Sequence, residues 1–145
     1  MSTLSGFARN MRRRGRRLET RTNRLKREAA LIVDREVVLA TPVDTGRARS
    51  NWIVSLSVPV LSPIGPYAPG SKLGKGERAN AEAALQQGRE RINAARGPQD
   101  IYISNNVNYI GRLNEGYSAQ APAGFVQSAV ARAVAHVRRS RVTDG

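Results

Sequence analysis

Thr41-Pro42-Val43-Asp44-Thr45-Gly46-Arg47-Ala48-Arg49-Ser50-Asn51-Trp52 is the stretch at which the chain changes its hydrophobic period. Upstream, apolar residues recur at helical spacing; downstream, from Trp52, they alternate as a half-buried strand requires. The ring of Pro42 crowds the backbone of Thr41 and takes it out of the helical region, so the first helix ends there. Asp44 is placed to cap a turn running through Gly46 and Arg47, a contact worth ~1 kcal/mol. Pro42, Asp44, Gly46, Arg47 and Trp52, the sole tryptophan, together read as a structural hinge between an α part and a β part.

On the N-terminal side, Leu4, Met11, Leu18, Leu25, Ile32 and Leu39 recur every seven residues, which places them on one slowly drifting helical stripe. The positions four residues later are Ala8, Gly15, Thr22, Ala29 and Glu36. They are mostly small, so a self-pairing coiled coil lacks its second apolar row. Residues 25–39, widened by Leu31, Val33 and Val37, are expected to pack on the protein's own sheet. Residues 9–27 carry Arg12, Arg13, Arg14, Arg16, Arg17, Arg21, Arg24 and Lys26 against the single acid Glu19. That composition predicts a basic helical arm over residues 1–24 that projects from a single domain at 25–145 and orders on a partner.

On the C-terminal side, Trp52, Val54, Leu56 and Val58 alternate with Asn51, Ser55 and Ser57, predicting a strand over 51–58 with Ile53 the exception on the polar face. Residues 59–77 are too rich in proline and glycine for regular structure and read as a loop or arm, with Tyr67 and Lys72 available to a neighbour. The glycines before Lys75 lack the spacing of a phosphate-binding loop, and Gly76 stands where its hydroxyl belongs. Residues 77–95 read as a helix thinly attached to the core, with a weak point at Gly88. A second strand follows at 101–104. Asn105-Asn106 turns the chain toward Val107, Tyr109 and Ile110, and these two runs are expected to pair in a hairpin or in a small antiparallel sheet with the Trp52 strand. Pro122 is placed to open a last helix with Val126, Val130, Ala133, Val134 and Val137 on its apolar face. The order predicts an α+β fold: a long N-terminal helix and a C-terminal helix on a small antiparallel sheet, with a Pro/Gly-rich arm and an inserted helix.

The 145 residues suffice for one domain, and 24 Lys+Arg against 11 Asp+Glu give a formal charge of +13. Such a balance favours a polyanionic or acidic-protein partner. The absence of cysteine excludes disulfides and thiolate metal sites. No secretory signal pattern and no membrane-spanning apolar run is visible, so no membrane partner is expected. His136 is the only histidine and has neither an adjacent acid nor a nucleophile motif in sequence. Asp44, Asp100 and Glu115 fall in loops or at element ends, where acids commonly serve as caps. No enzyme activity, cofactor, metal or small-molecule substrate is expected. The arginine-rich segment suits either DNA, with affinity falling steeply as salt rises, or the acidic surface of a protein ring, and charge does not choose between them.

Three pieces carry a resemblance: Thr41 to Trp52 as quoted; Tyr109-Ile110-Gly111-Arg112-Leu113-Asn114-Glu115-Gly116; and Ala121-Pro122-Ala123-Gly124-Phe125-Val126. In this order, over about eighty residues, the chain resembles the neck and tail-completion family of tailed bacteriophages, the group containing the minor tail protein Z of lambda-type phages. The resemblance implies a non-catalytic virion protein, assembled in the host cytoplasm into a ring of about six copies closed by rotation. Its neighbours would be the head connector or head-completion protein and the tail terminator, with DNA passing nearby. On that reading Tyr67, Lys72, Tyr109, Leu113, Glu115, Tyr117 and Phe125 are candidate subunit or partner contacts. The strong basicity of the first forty residues is not a feature the resemblance supplies.

Overall fold

A computed structural model describes residues 3–42, 46–68, 77–116 and 123–140. Asp44, Lys72, Tyr117 and Pro122 lie outside the described residues, as do Val43, Thr45 and the Lys75 glycine segment. The elements in chain order are α1 (Leu4–Ala40), α2 (Arg47–Ser50), β1 (Ile53–Leu56), α3 (Glu77–Ala94), β2 (Ile101–Ser104), α4 (Ile110–Asn114) and α5 (Phe125–Arg139). The fold is α+β, with α5 packed against α1 and a two-stranded antiparallel sheet.

Helix α1 starts where Thr3 caps it, its hydroxyl accepting from the Gly6 N–H at 3.1 Å, and ends at Thr41, whose extended backbone precedes Pro42 as expected. It runs unbroken for 37 residues, about 55 Å at ~1.5 Å per residue. The basic arm is therefore a direct continuation of the helix that enters the body. Of the seven-residue stripe, only Leu25 is buried. Leu4, Met11, Leu18 and Leu39 are exposed, and the buried positions are Leu25, Ala30, Asp34, Val37 and Val38. A helix packed on several neighbours buries a broad face, and the strict stripe is only its edge.

The sheet is the pairing expected between the Trp52 strand and residues 101–104, in the register Ile53↔Ser104, Val54↔Ile103, Ser55↔Tyr102 and Leu56↔Ile101. Strand β1 is shorter than the alternation predicted. Asn51 lies before it and is fully buried, Ile53 is buried as well, and Ser57 breaks it with a positive φ of 69°. The outer edge of β1 is not left open. Gln87 on α3 uses its side-chain amide as a substitute strand, accepting from the Val54 N–H at 3.1 Å and donating to the Val54 carbonyl at 2.8 Å.

That contact also corrects the expectation for α3, which is central. Its Ala84 and Ile92 are fully buried, and Ala81 lies in the same cluster as Val37, Val38, Trp52, Phe125 and Ala129. Abundant alanine marks close helix packing here, where composition suggested weak attachment. The segment after Asn106 adds no strand: Val107 is buried in an irregular stretch, a turn follows through Tyr109, and Ile110 opens α4. On α5 the buried residues are Phe125, Ala129 and Ala133, while Val130 and Val134 remain 46% and 42% exposed. Ala133 and Val126 hold their expected places on the contact face, and Ala129 takes the part expected of Val130 and Val134.

Gly88 is no weak point. A Cβ there would sit 2.1 Å from Asp34 Oδ2 and 2.9 Å from Asp34 Cγ, so α1 and α3 touch through a missing side chain. Gly88→Ala should destabilise by about 1–3 kcal/mol through overpacking, outweighing a helix-propensity gain of up to ~1 kcal/mol. Urea unfolding checks it, and the cost should shrink in an Asp34→Ala background. A loss under about 0.5 kcal/mol would mean the helices separate freely at this point.

Candidate interaction surface

The quoted stretch folds back and locks the end of α1. Thr41 Oγ1 donates to the Val37 carbonyl and accepts from the Trp52 indole N–H at 2.7 Å. Arg49, 8% exposed, donates from Nε to the Thr41 carbonyl at 2.9 Å and from Nη2 to the Leu39 carbonyl at 3.0 Å. A guanidinium on carbonyls at a helix C-terminus satisfies unpaired acceptors and the negative end of the dipole together. Arg49 was legible only as one more cation. Gly46 has φ 74°, and a Cβ on it would lie 2.1 Å from Asn80 Nδ2, so the turn needs glycine on both counts. Trp52 is core, and Arg47 is exposed on α2.

Residues 59–68, the described part of the Pro/Gly loop before α3, lie along the body on a row of polar side chains. Asn51 donates to the Ile64 carbonyl at 2.8 Å and accepts from the Ile64 N–H at 2.7 Å. Asn80, 1% exposed, does the same with Ala68, at 3.0 and 2.7 Å, and also accepts from Ser50 Oγ at 2.9 Å. Asn106 donates to the Val60 carbonyl at 2.8 Å. These side chains complete the hydrogen bonding of a backbone that has no strand partner. Tyr67 is held by its N–H on Ser50 Oγ at 3.1 Å, and the residue is 41% exposed. Burial, and then the Asp34 charge, raise its pKa.

Of the other candidate contacts, Phe125 is 3% exposed and belongs to the core, and Leu113 packs against the same cluster. Tyr109 precedes α4 and is half-buried; Glu115 follows it and is exposed. Asn114 joins α4 to α5, its side chain accepting from the Val126 N–H at 2.9 Å. The three pieces that carried the resemblance therefore meet around one cluster through Trp52, Leu113 and Phe125, which makes their residues determinants of the fold.

Arg12, Arg13, Arg14, Arg16, Arg17 and Arg24 are exposed on α1, and Arg21 is half-buried. Arg13, Arg16, Arg17, Thr20 and Arg21 line a shallow groove along the helix. Lys26, counted with this segment by sequence, belongs to the body: its ammonium donates to the carbonyls of Gly97 and Gln99 at 3.3 and 2.5 Å. His136 does have an acid beside it, brought by the fold. Its Nε2 lies 2.9 Å from Glu28 Oε2, tying α5 to α1.

Asp34 is the one chemically unusual carboxylate found by structure alone. It is 2% exposed, and its Oδ1 has no hydrogen-bond partner among the described residues. Burial raises its pKa from 3.8 to about 7, against the opposing pull of Arg89. Sealed between α1 and α3, it is out of reach of any substrate. Among the described residues no group of three His, Cys, Asp or Glu side chains is placed to hold a metal ion. No described helix is long and apolar enough to cross a membrane. Compared with known protein families, characterised proteins and solved structures, the chain matches none.

Proposed function

We propose that this protein is a structural component of a phage virion, forming a ring at the head–tail neck that completes the tail and joins it to the head connector. The observation that carries the reading is a rigid body continuous with a long exposed helix, with apolar side chains displayed on both. Leu4, Phe7, Met11 and Leu18 are exposed on the arm, and Leu39, Val58, Leu61, Val130 and Val134 on the body. The arm residues share one face of α1, and Val130 and Val134 stand four apart on α5, so each set forms a contiguous strip suited to a neighbour. The sequence resemblance gives those contacts a setting. In a ring each subunit presents one face to the next and receives another, so two unlike surfaces are needed, and an arm about 30 Å long extends the area each interface buries.

Because α1 is one helix and its C-terminal end is locked by Arg49 and Trp52, the arm points in a fixed direction from the body. A fixed arm binds with less entropy loss than a flexible one. Electron microscopy of particles carrying a labelled copy of the protein should show density at the neck. Label confined to soluble host complexes overturns the proposal.

A second reading, a basic accessory protein that contacts DNA, is favoured by the arginine-lined groove on α1. It predicts tight duplex binding with a steep salt slope that vanishes on deleting residues 3–24. Weak binding with a shallow slope excludes it.

A further inference from the structure

The exposed half of α1 sorts its residues in a way that charge neutralisation alone does not require. At about 100° per residue, Leu4, Phe7, Ala8, Met11, Gly15 and Leu18 share an arc of roughly 100°. All eight arginines from Arg9 to Arg24 fall outside it. Leu4, Phe7, Met11 and Leu18 are 89%, 61%, 50% and 47% exposed, so among the described residues nothing covers the arc. Phe7, outside the seven-residue spacing, gives the stripe the start of a second row.

Where the stripe goes next shows what fits it. Leu25 and Ile32 continue the spacing into the body, and Leu25 is buried. Glu28, three residues past Leu25, pairs with His136, and Glu36, four past Ile32, pairs with Arg132. Residues three and four apart share a helix face, so α5 lies along the continuation of the stripe. It runs antiparallel to α1, because its later residue meets the earlier acid, and it ends at Arg139. Beyond that level no described element covers the seam on the α1 side.

We propose that this open seam seats an amphipathic helix of a partner protein, apolar on one side and acidic on its flanks, in line with α5. Charge selects the acidic flanks: the exposed half holds eight arginines and the single acid Glu19, so a second copy of the same arm would set arginine against arginine. Shape selects a helix. Helix α5 rises from the same side of α1 by about one helix diameter, ~10 Å, so a flat bilayer would meet α5 before it reached Leu18. Duplex DNA would use the arginines and leave the apolar arc in water. The proposal stands apart from the ring reading, since it specifies only the occupant of one face.

The test uses the full chain and a fluorescent synthetic helix of about 21 residues, with leucine at both apolar positions of each heptad and glutamate beside them. A scrambled peptide of identical composition controls for charge. The expected result is saturable binding about tenfold or more tighter than the scrambled peptide. Met11→Ser combined with Leu18→Ser, both at exposed sites, should weaken it by about tenfold with little change in the salt dependence. Equal affinity for the two peptides, or indifference to the double substitution, overturns the proposal by showing a purely electrostatic surface. So does the absence of binding. Vesicles with about 30% phosphatidylserine form the last arm. If the double substitution abolishes vesicle binding and leaves peptide binding intact, the arc is a lipid face and the proposal fails.

Discussion

Asp34→Asn is expected to remove most of the pH dependence of stability between pH 4 and pH 7. The carboxyl is buried with one oxygen unpartnered, and its pKa stands at about 7 in the folded protein against 3.8 for the exposed group. The folded state therefore holds the proton more tightly than the unfolded chain does. Its stabilising effect is fully present below about pH 4 and is lost as pH rises through about 7, because folding must then bury a charge. At about 1.4 kcal/mol per unit of pKa, the loss is on the order of 4 kcal/mol. Asparagine carries no charge at any of these values. Urea unfolding of both proteins at pH 4, 5.5 and 8 should show the wild type losing this increment relative to the variant. Parallel pH profiles would show that Asp34 finds a partner or water on ionising.

Trp52→Ala should cost about 3–5 kcal/mol, the usual range for deleting a large aromatic from a packed core. The side chain is 6% exposed, in the cluster shared by α1, α3 and α5, and it also donates the hydrogen bond to Thr41 that closes the end of α1. Trp52→Phe separates the two effects. It keeps most of the packing and removes the N–H, so its loss should be nearer ~1–2 kcal/mol. An alanine variant within about 1 kcal/mol of wild type would mean that the end of α1 is held without the indole.

How far the sequence carried these points differs by element. The end of α1 was legible because proline acts locally on its own neighbour, and the β1–β2 pairing because alternation reports a two-sided environment directly. The buried arc of α5 was legible only in part: Ala133 and Val126 lie where the expected apolar face put them, while Val130 and Val134 do not. Hydrophobicity ranks Val130 and Val134 above Ala129 and Ala133, whereas two helices in contact select small residues where their surfaces meet. Short elements such as α2 and α4 have too few residues to show a period. Long-range polar matches were the least visible: nothing local to Asn80 announces Ala68 and Ser50, and nothing beside Asp34 announces the gap at Gly88. The arm's basic character could be read at once. Its bare apolar arc emerged only when the exposure of Leu4, Met11 and Leu18 showed that the stripe does not face the core.

On the proposed reading, a tightly packed body aims its surfaces and a neighbour covers the arm. The most direct test of that account is the stoichiometry and axial position of the protein in isolated virions, measured by native mass spectrometry of the detached neck together with symmetry-resolved electron microscopy. The account predicts a closed ring of about six copies between head connector and tail, whereas single copies, or a complete absence from purified particles, would contradict it.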